Sequence, residues 1–155
     1  MAENDSQSTP VAPDIEAVFR AKGIPFTRQR RLIWDRFAGA ERAATIGEVA
    51  EAVRAQGIGQ ATVYRTVGLL GDLGLLQRVQ DRRGDICYFA PPIGHSHPLI
   101  CGQCRRIVRF AGDGDLDALE KRLARETGFT VYGHHLEVYG LCEECRAKES
   151  GGHTP

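Results

Sequence analysis

Four cysteines set the chemistry of this sequence before any fold is considered. Cys101-Gly-Gln-Cys104 and Cys142-Glu-Glu-Cys145 have the spacing at which two thiolates of one tight turn take two corners of a tetrahedron around Zn²⁺. The separation of the two pairs is little obstacle, because loop closure costs only about 0.6 kcal/mol more per doubling of length. A four-thiolate site has no open coordination position, so it is structural. Disulfides are the competing use. The N-terminal MAENDSQSTPVAP lacks the basic start and apolar stretch of a secretory signal, so the doubled motif is read as zinc in a cytoplasmic protein.

Other metal-binding side chains remain. His95 and His97 precede the first pair in HSHPLICGQC, and His134 and His135 lie in FTVYGHHLEVYGLC. Cys87, between Ile86 and Tyr88, is left over; a lone cysteine there is either a ligand or a small buried hydrophobe. A nucleophilic role for Cys87 with His95 as base lacks any orienting group or oxyanion device, so no enzyme and no small-molecule substrate are expected.

The elements that must position these residues fall into two groups. Ile15, Val18 and Phe19 share a helical face that ends at Gly23 and Pro25. Thr27 caps a second helix with Ile33, Trp34 and Phe37 on its apolar side. Thr45 caps a third, with Ile46, Val49, Ala50 and Val53 at helical spacing before Gly57. In a fourth, Gln60 to Leu73, Val63, Val67 and Leu70 line one side while Ala61, Tyr64, Arg65 and Gly68 line the other. A solvated face normally carries Lys and Glu; this one pairs an aromatic and an arginine with small residues that allow close approach to a groove. LLQRVQ, the turn DRRGD and ICYFA follow as a hairpin with a basic tip. That order is a winged helix-turn-helix, whose fourth helix enters the DNA major groove while the wing leans on phosphates.

APPIG is a stiff linker. Beyond it, PLIC and RIVRF make two strands, LDALEKRLARETG an amphipathic helix ended by Gly128, and FTVYGHHLEVYGLC a strand or a bent pair of strands. The fold class is therefore α+β, with a tail at 1–13, a DNA-binding domain at 14–90, a linker at 91–94, a metal-binding domain at 95–148 and a second tail at 149–155. Net charge is zero, so bulk charge names no partner. From Asp14 to Arg83, however, 12 basic residues face 8 acidic ones, a mild excess that agrees with a nucleic-acid-binding front half. No run of about 18 apolar residues exists, which excludes a membrane-spanning helix.

Together these residues resemble the Fur family of metal-dependent repressors. GQATVYRTVGLL is similar to the family's recognition helix, HSHPLICGQC to its histidine run and first CxxC, and GHHLEVYGLCEEC to its last strand and second CxxC. The resemblance covers about residues 14 to 148. It implies a homodimer, with the second domain as the α/β dimerisation unit, that represses by binding AT-rich palindromic operators in double-stranded DNA when loaded with metal. It assigns DNA contact to Thr62, Tyr64 and Arg65, and backbone or minor-groove contact to Lys22 and Arg28. It assigns a regulatory site to His95, His97 and His134 with Asp117 as carboxylate, Asp115 being the rival because the loop AGDGD carries an extra residue.

Three imidazoles and a carboxylate suit Zn²⁺, Fe²⁺, Mn²⁺ or Ni²⁺. A second family site is expected to be lost, since its positions hold Ala44, Phe89, Ser96 and Pro98; that weakens a peroxide-sensing reading. Cys87 resembles the cysteine ligand of zinc-sensing members, and a thiolate favours zinc. The expectation is a zinc-responsive repressor, with an iron-responsive one using the His/His/Asp/His set as the alternative. Metal bridging the two domains would act as the switch by selecting one interdomain arrangement.

Overall fold

The structure, a computed structural model, describes residues 14–91, 96–112, 114 and 116–150. Three helices open the chain. α1 (Ile15–Ala21) starts where the Asp14 carboxylate accepts from the Ala17 N–H, and α2 (Arg28–Trp34) where the Thr27 hydroxyl accepts from the Arg30 N–H. Each such cap satisfies an otherwise orphaned donor and contributes about 1 kcal/mol. A two-residue strand β1 (Ala44–Thr45) leads into α3 (Ile46–Val53). There Thr45 Oγ1 accepts from the Glu48 N–H at 3.1 Å while Glu48 Oε2 accepts from the Thr45 N–H at 2.7 Å. Both donors at this helix start are thus met reciprocally.

After a single 3-10 turn, α4 (Gln60–Asp72) packs on α2 and α3. Its Val63, Val67 and Leu70 are buried with Phe19, Ile33, Phe37, Val49 and Val53. Truncating any one of these to alanine should cost about 2–5 kcal/mol by the usual cavity argument. The wing follows as β2 (Gln77–Gln80) and β3 (Ile86–Phe89), antiparallel, with β1 added on the far side of β3.

The second half is a three-stranded sheet in the order β5-β4-β6, built from β4 (Ser96–Cys101), β5 (Ile107–Ala111) and β6 (Val138–Gly140). β4 pairs antiparallel with β5 and parallel with β6, so the parallel pair needs a crossover, which α5 (Asp117–Thr127) supplies. Gly128 ends α5 with φ 73°, a left-handed cap that costs glycine little. Of FTVYGHHLEVYGLC, β6 alone is strand and residues 128–137 run without regular structure. A last helix, α6 (Glu143–Ser150), continues past the boundary drawn at 148.

The two halves meet through a shared core. Ala43, Val79, Cys87 and Phe89 of the wing sheet and its approach are buried with Ile100 and Ile107 of the second sheet. The linker that marks a boundary in sequence therefore does not separate two independently packed surfaces.

Candidate metal centres and nucleic-acid face

The four paired cysteines converge. Cys101 and Cys104 lie on the turn between β4 and β5, Cys142 lies just before α6, and Cys145 in its first turn. Their sulfurs all lie within 4.8 Å of one another, with Cys104 and Cys142 at 3.6 Å. Thiolates about 2.3 Å from a tetrahedral zinc stand about 3.8 Å apart, so the set fits that ion. All five cysteines of the chain are free of disulfides. Burial opposes ionisation of Cys101, but the N–H groups of Cys104, Cys142 and Gln103 outweigh it and hold that thiol at about 6. Cys145, buried and donating toward its neighbours, is pushed up to about 12. Crowded thiols such as Cys101 and Cys145, which shed their protons this unevenly, are what a dication relieves.

A second cluster uses nitrogen and oxygen. His97 on β4 is buried, and its Nε2 lies 3.3 Å from His134 Nε2 in the segment before β6. Two nitrogens about 2.05 Å from one tetrahedral ion stand about 3.3 Å apart, which is this separation. The other ring nitrogen of His134 meets Glu120 Oε1 of α5 at 2.7 Å. A carboxylate on Nδ1 fixes the tautomer so that Nε2 presents its lone pair toward a metal.

Asp117, assigned from sequence, opens α5 and turns its carboxylate back to Gly114, where a built Cβ would lie 3.3 Å from Oδ2. The reason is position: the first residue of α5 lies over the preceding loop, and the residue one turn on is level with His134. Glu120 was missed by sequence reasoning, although the i, i+3 spacing from Asp117 places both on one helix face. His95 and Asp115 lie outside the described residues.

Around α4 the side chains divide as its periodicity predicts. Tyr64 and Arg65 are exposed while Val63 and Thr66 are buried. Thr62, Arg65 and Thr66 face Thr27, Gln29 and Arg30 at the start of α2 across a depression of about 270 Å³. Lys22 and Arg28 are exposed at the end of α1 and the start of α2. Arg30 and Arg31 are differently engaged: each lies over a phenylalanine ring, Phe19 and Phe26 respectively, and Arg31 pairs with Glu16. At the wing tip, Arg82 pairs with Glu149 of α6 at 2.7 Å.

Residues 21–139 match the ferric uptake regulator family. The chain belongs to that family. It is 33% identical over 135 residues to a ferric uptake regulation protein of Rhizobium leguminosarum bv. viciae, covering 86% of this chain and 94% of the relative. It is 31% identical to the peroxide operon regulator of Bacillus subtilis (strain 168), covering 83% and 88%. A solved structure of a zinc-bound manganese uptake regulator is 32% identical, superposes with a TM-score of 0.60 and covers 84% of this chain and 99% of its own. The protein is thus a metal-responsive transcriptional regulator of the ferric uptake regulator family, whose relatives answer to different signals.

Within that family the cysteine outside the zinc motifs acquires a definite setting. Cys87 is fully buried on β3, opposite Thr45 and Val79. Its Sγ accepts from Arg105 Nη1 at 3.5 Å, and burial pushes its thiol pKa up. That is the reverse of the lowered pKa and access a nucleophilic thiolate needs. Ala44 pairs with Tyr88, and Phe89 is buried beside Cys87, so both residues are taken up in the packing of the wing sheet. Among the described residues no helix is long and apolar enough to cross a membrane.

Proposed function

We propose that the chain is a repressor that binds an AT-rich inverted repeat as a homodimer when Fe²⁺ or Mn²⁺ occupies a site built on His97 and His134. The observation that carries the reading is the 3.3 Å separation of the two Nε2 atoms, oriented by Glu120. Zinc in the four-cysteine site holds the second half in shape and gives no signal. The zinc preference expected from sequence rested on Cys87, and packing of that thiol against Arg105 leaves a nitrogen and oxygen set without a thiolate, which accepts iron and manganese as readily as zinc.

Tyr64 and Arg65, supported by Thr62, read the major groove, with Lys22 and Arg28 on the backbone. Dimerisation uses the exposed apolar face of the second half. Leu99 lies between Val108 and Val138 in register on the sheet, and Leu119 and Leu123 sit one turn apart on α5. A lone domain rarely leaves such a surface to water. Metal joining β4 to the segment before β6, with α5 held through Glu120, would stiffen that face and favour one dimer geometry.

The test is fluorescence anisotropy of a labelled AT-rich palindromic duplex against zinc-loaded protein, titrated separately with Fe²⁺ under anaerobic conditions, Mn²⁺ and buffered Zn²⁺. Binding that needs Fe²⁺ or Mn²⁺ and survives Cys87→Ser supports the reading. Binding at trace Zn²⁺ that disappears in Cys87→Ser returns the protein to the zinc-sensing branch.

A further inference from the structure

Arg105, directly after the first zinc pair, has φ 64° and is the non-glycine residue with positive φ among the described residues. A left-handed arginine carries steric strain and persists where its surroundings over-determine it. Four segments hold Arg105. Its N–H donates to Cys101 O at 2.8 Å, and its carbonyl accepts from the Ala43 N–H at 3.0 Å. Its guanidinium forks onto both carboxylate oxygens of Glu48 in α3, with Nη1 to Oε2 at 2.9 Å, and the same Nη1 reaches Cys87 on the wing at 3.5 Å. The side chain is mostly buried, at 19% exposure, so solvent screens the pair weakly on that side. One residue of the zinc turn thus grips the approach to β1, the helix before the recognition helix, and the wing.

The contacts nearby run the same way. The Ile107 N–H donates to Glu41 O at 2.8 Å, Arg42 and Arg106 form an antiparallel bridge, and the Arg82 N–H of the wing tip donates to Gly102 O at 2.9 Å. A Cβ on Gly102 would lie 2.6 Å from Arg82 Cγ, so any larger residue there would push the Arg82 side chain aside.

We propose that Arg105 is the positioning residue that fixes the orientation of the winged-helix half on the zinc half, making the zinc turn an interdomain joint as well as a structural core. The left-handed backbone aims the side chain across the boundary, and the planar fork, which matches a carboxylate bidentately, fixes the angle. For DNA recognition, which rests on the repressor reading above, the joint sets the distance between the two α4 helices of a dimer and hence the half-site spacing tolerated.

The test uses the zinc-loaded full chain and three variants. Arg105→Gly relaxes the backbone and removes the guanidinium. Arg105→Lys keeps the charge without the fork. Glu48→Gln, on α3 and outside the paired cysteine motifs, keeps a side chain able to complete the capping box and removes the charge. Backbone ¹⁵N relaxation reads the joint without DNA. Wild-type amides of residues 28–89 and 96–140 should share one tumbling time. Arg105→Gly should split them into two with zinc content unchanged, Arg105→Lys and Glu48→Gln should split them less, and the Arg105→Gly/Glu48→Gln double variant should match Arg105→Gly. A single tumbling time in Arg105→Gly overturns the proposal; if that variant loses zinc, a single time in Glu48→Gln does so.

Inverted-repeat duplexes with spacers varied one base pair at a time give the second readout. The wild type should prefer one spacing by about tenfold and Arg105→Gly by about twofold or less, because register depends on a fixed half-site separation. Wild-type protein that binds no duplex, with the relaxation split still produced by Arg105→Gly, would remove the repressor reading and leave the joint standing.

Discussion

The four-cysteine site and the His97–His134 site are built in opposite ways. The thiols come from two short motifs whose turns preset the geometry, and their sulfurs already lie within 4.8 Å of one another. The imidazoles come from β4 and from a segment without regular structure, with Glu120 on α5 as the oriented neighbour. Local turns favour a permanent metal. A site drawn from three elements binds only when those elements are in place, which is what a reversible signal requires.

Breaking the first site should have the largest effect. Structural zinc contributes about 10–16 kcal/mol of apparent binding free energy in small zinc domains. Cys101→Ser or Cys145→Ser is therefore expected to abolish zinc retention and cooperative unfolding of the second half, measured by metal analysis and circular dichroism melting. His134→Ala is expected to leave zinc content and melting near wild type while removing metal-dependent DNA binding, so the pair of variants separates scaffold from sensor.

Smaller effects sharpen the second site. Glu120→Gln should lower regulatory-metal affinity by about 10–100-fold, the usual cost of losing a carboxylate behind a histidine ligand. Asp117→Asn should change it by about threefold or less on the same reasoning. Reversal of that order would return the carboxylate role to Asp117. Cys87→Ser should cost about 1–3 kcal/mol in urea unfolding by burying a hydroxyl in an apolar core, with metal response intact.

The smallest effect concerns pH. Burial works against the Glu48 carboxylate, but hydrogen bonds from Arg105 and Thr45 hold its pKa below the ordinary 4.5. A lowered folded value means that the contribution is complete above about pH 4.5 and fades as pH falls through the lower value. The urea midpoint of wild type should therefore converge on that of Glu48→Gln on acidification from pH 6 to 3, and a gap of constant size would contradict the assignment.

The order of helices and wing was legible because each of α1 to α4 carries a cap or a stop residue beside an apolar stripe, as Thr45 and Gly57 do for α3. α6 was not, since EECRAKES has no apolar periodicity. β1 has only two residues and exists because β3 offers an open edge. The CxxC pairs announced themselves by spacing. Glu120 did not, because sequence gives the face of a helix but not which turn comes level with a distant histidine. The joint was the least legible feature: nothing in an arginine after a CxxC signals positive φ, and alternating strands do not say which sheet packs on which.

The most direct test of the account is anisotropy of the palindromic duplex with zinc-loaded wild type and His134→Ala, before and after anaerobic Fe²⁺ or Mn²⁺. Wild type should bind tightly only after metal addition, and His134→Ala should not bind at the same zinc content. Equal binding by the two proteins, with or without added metal, would contradict it.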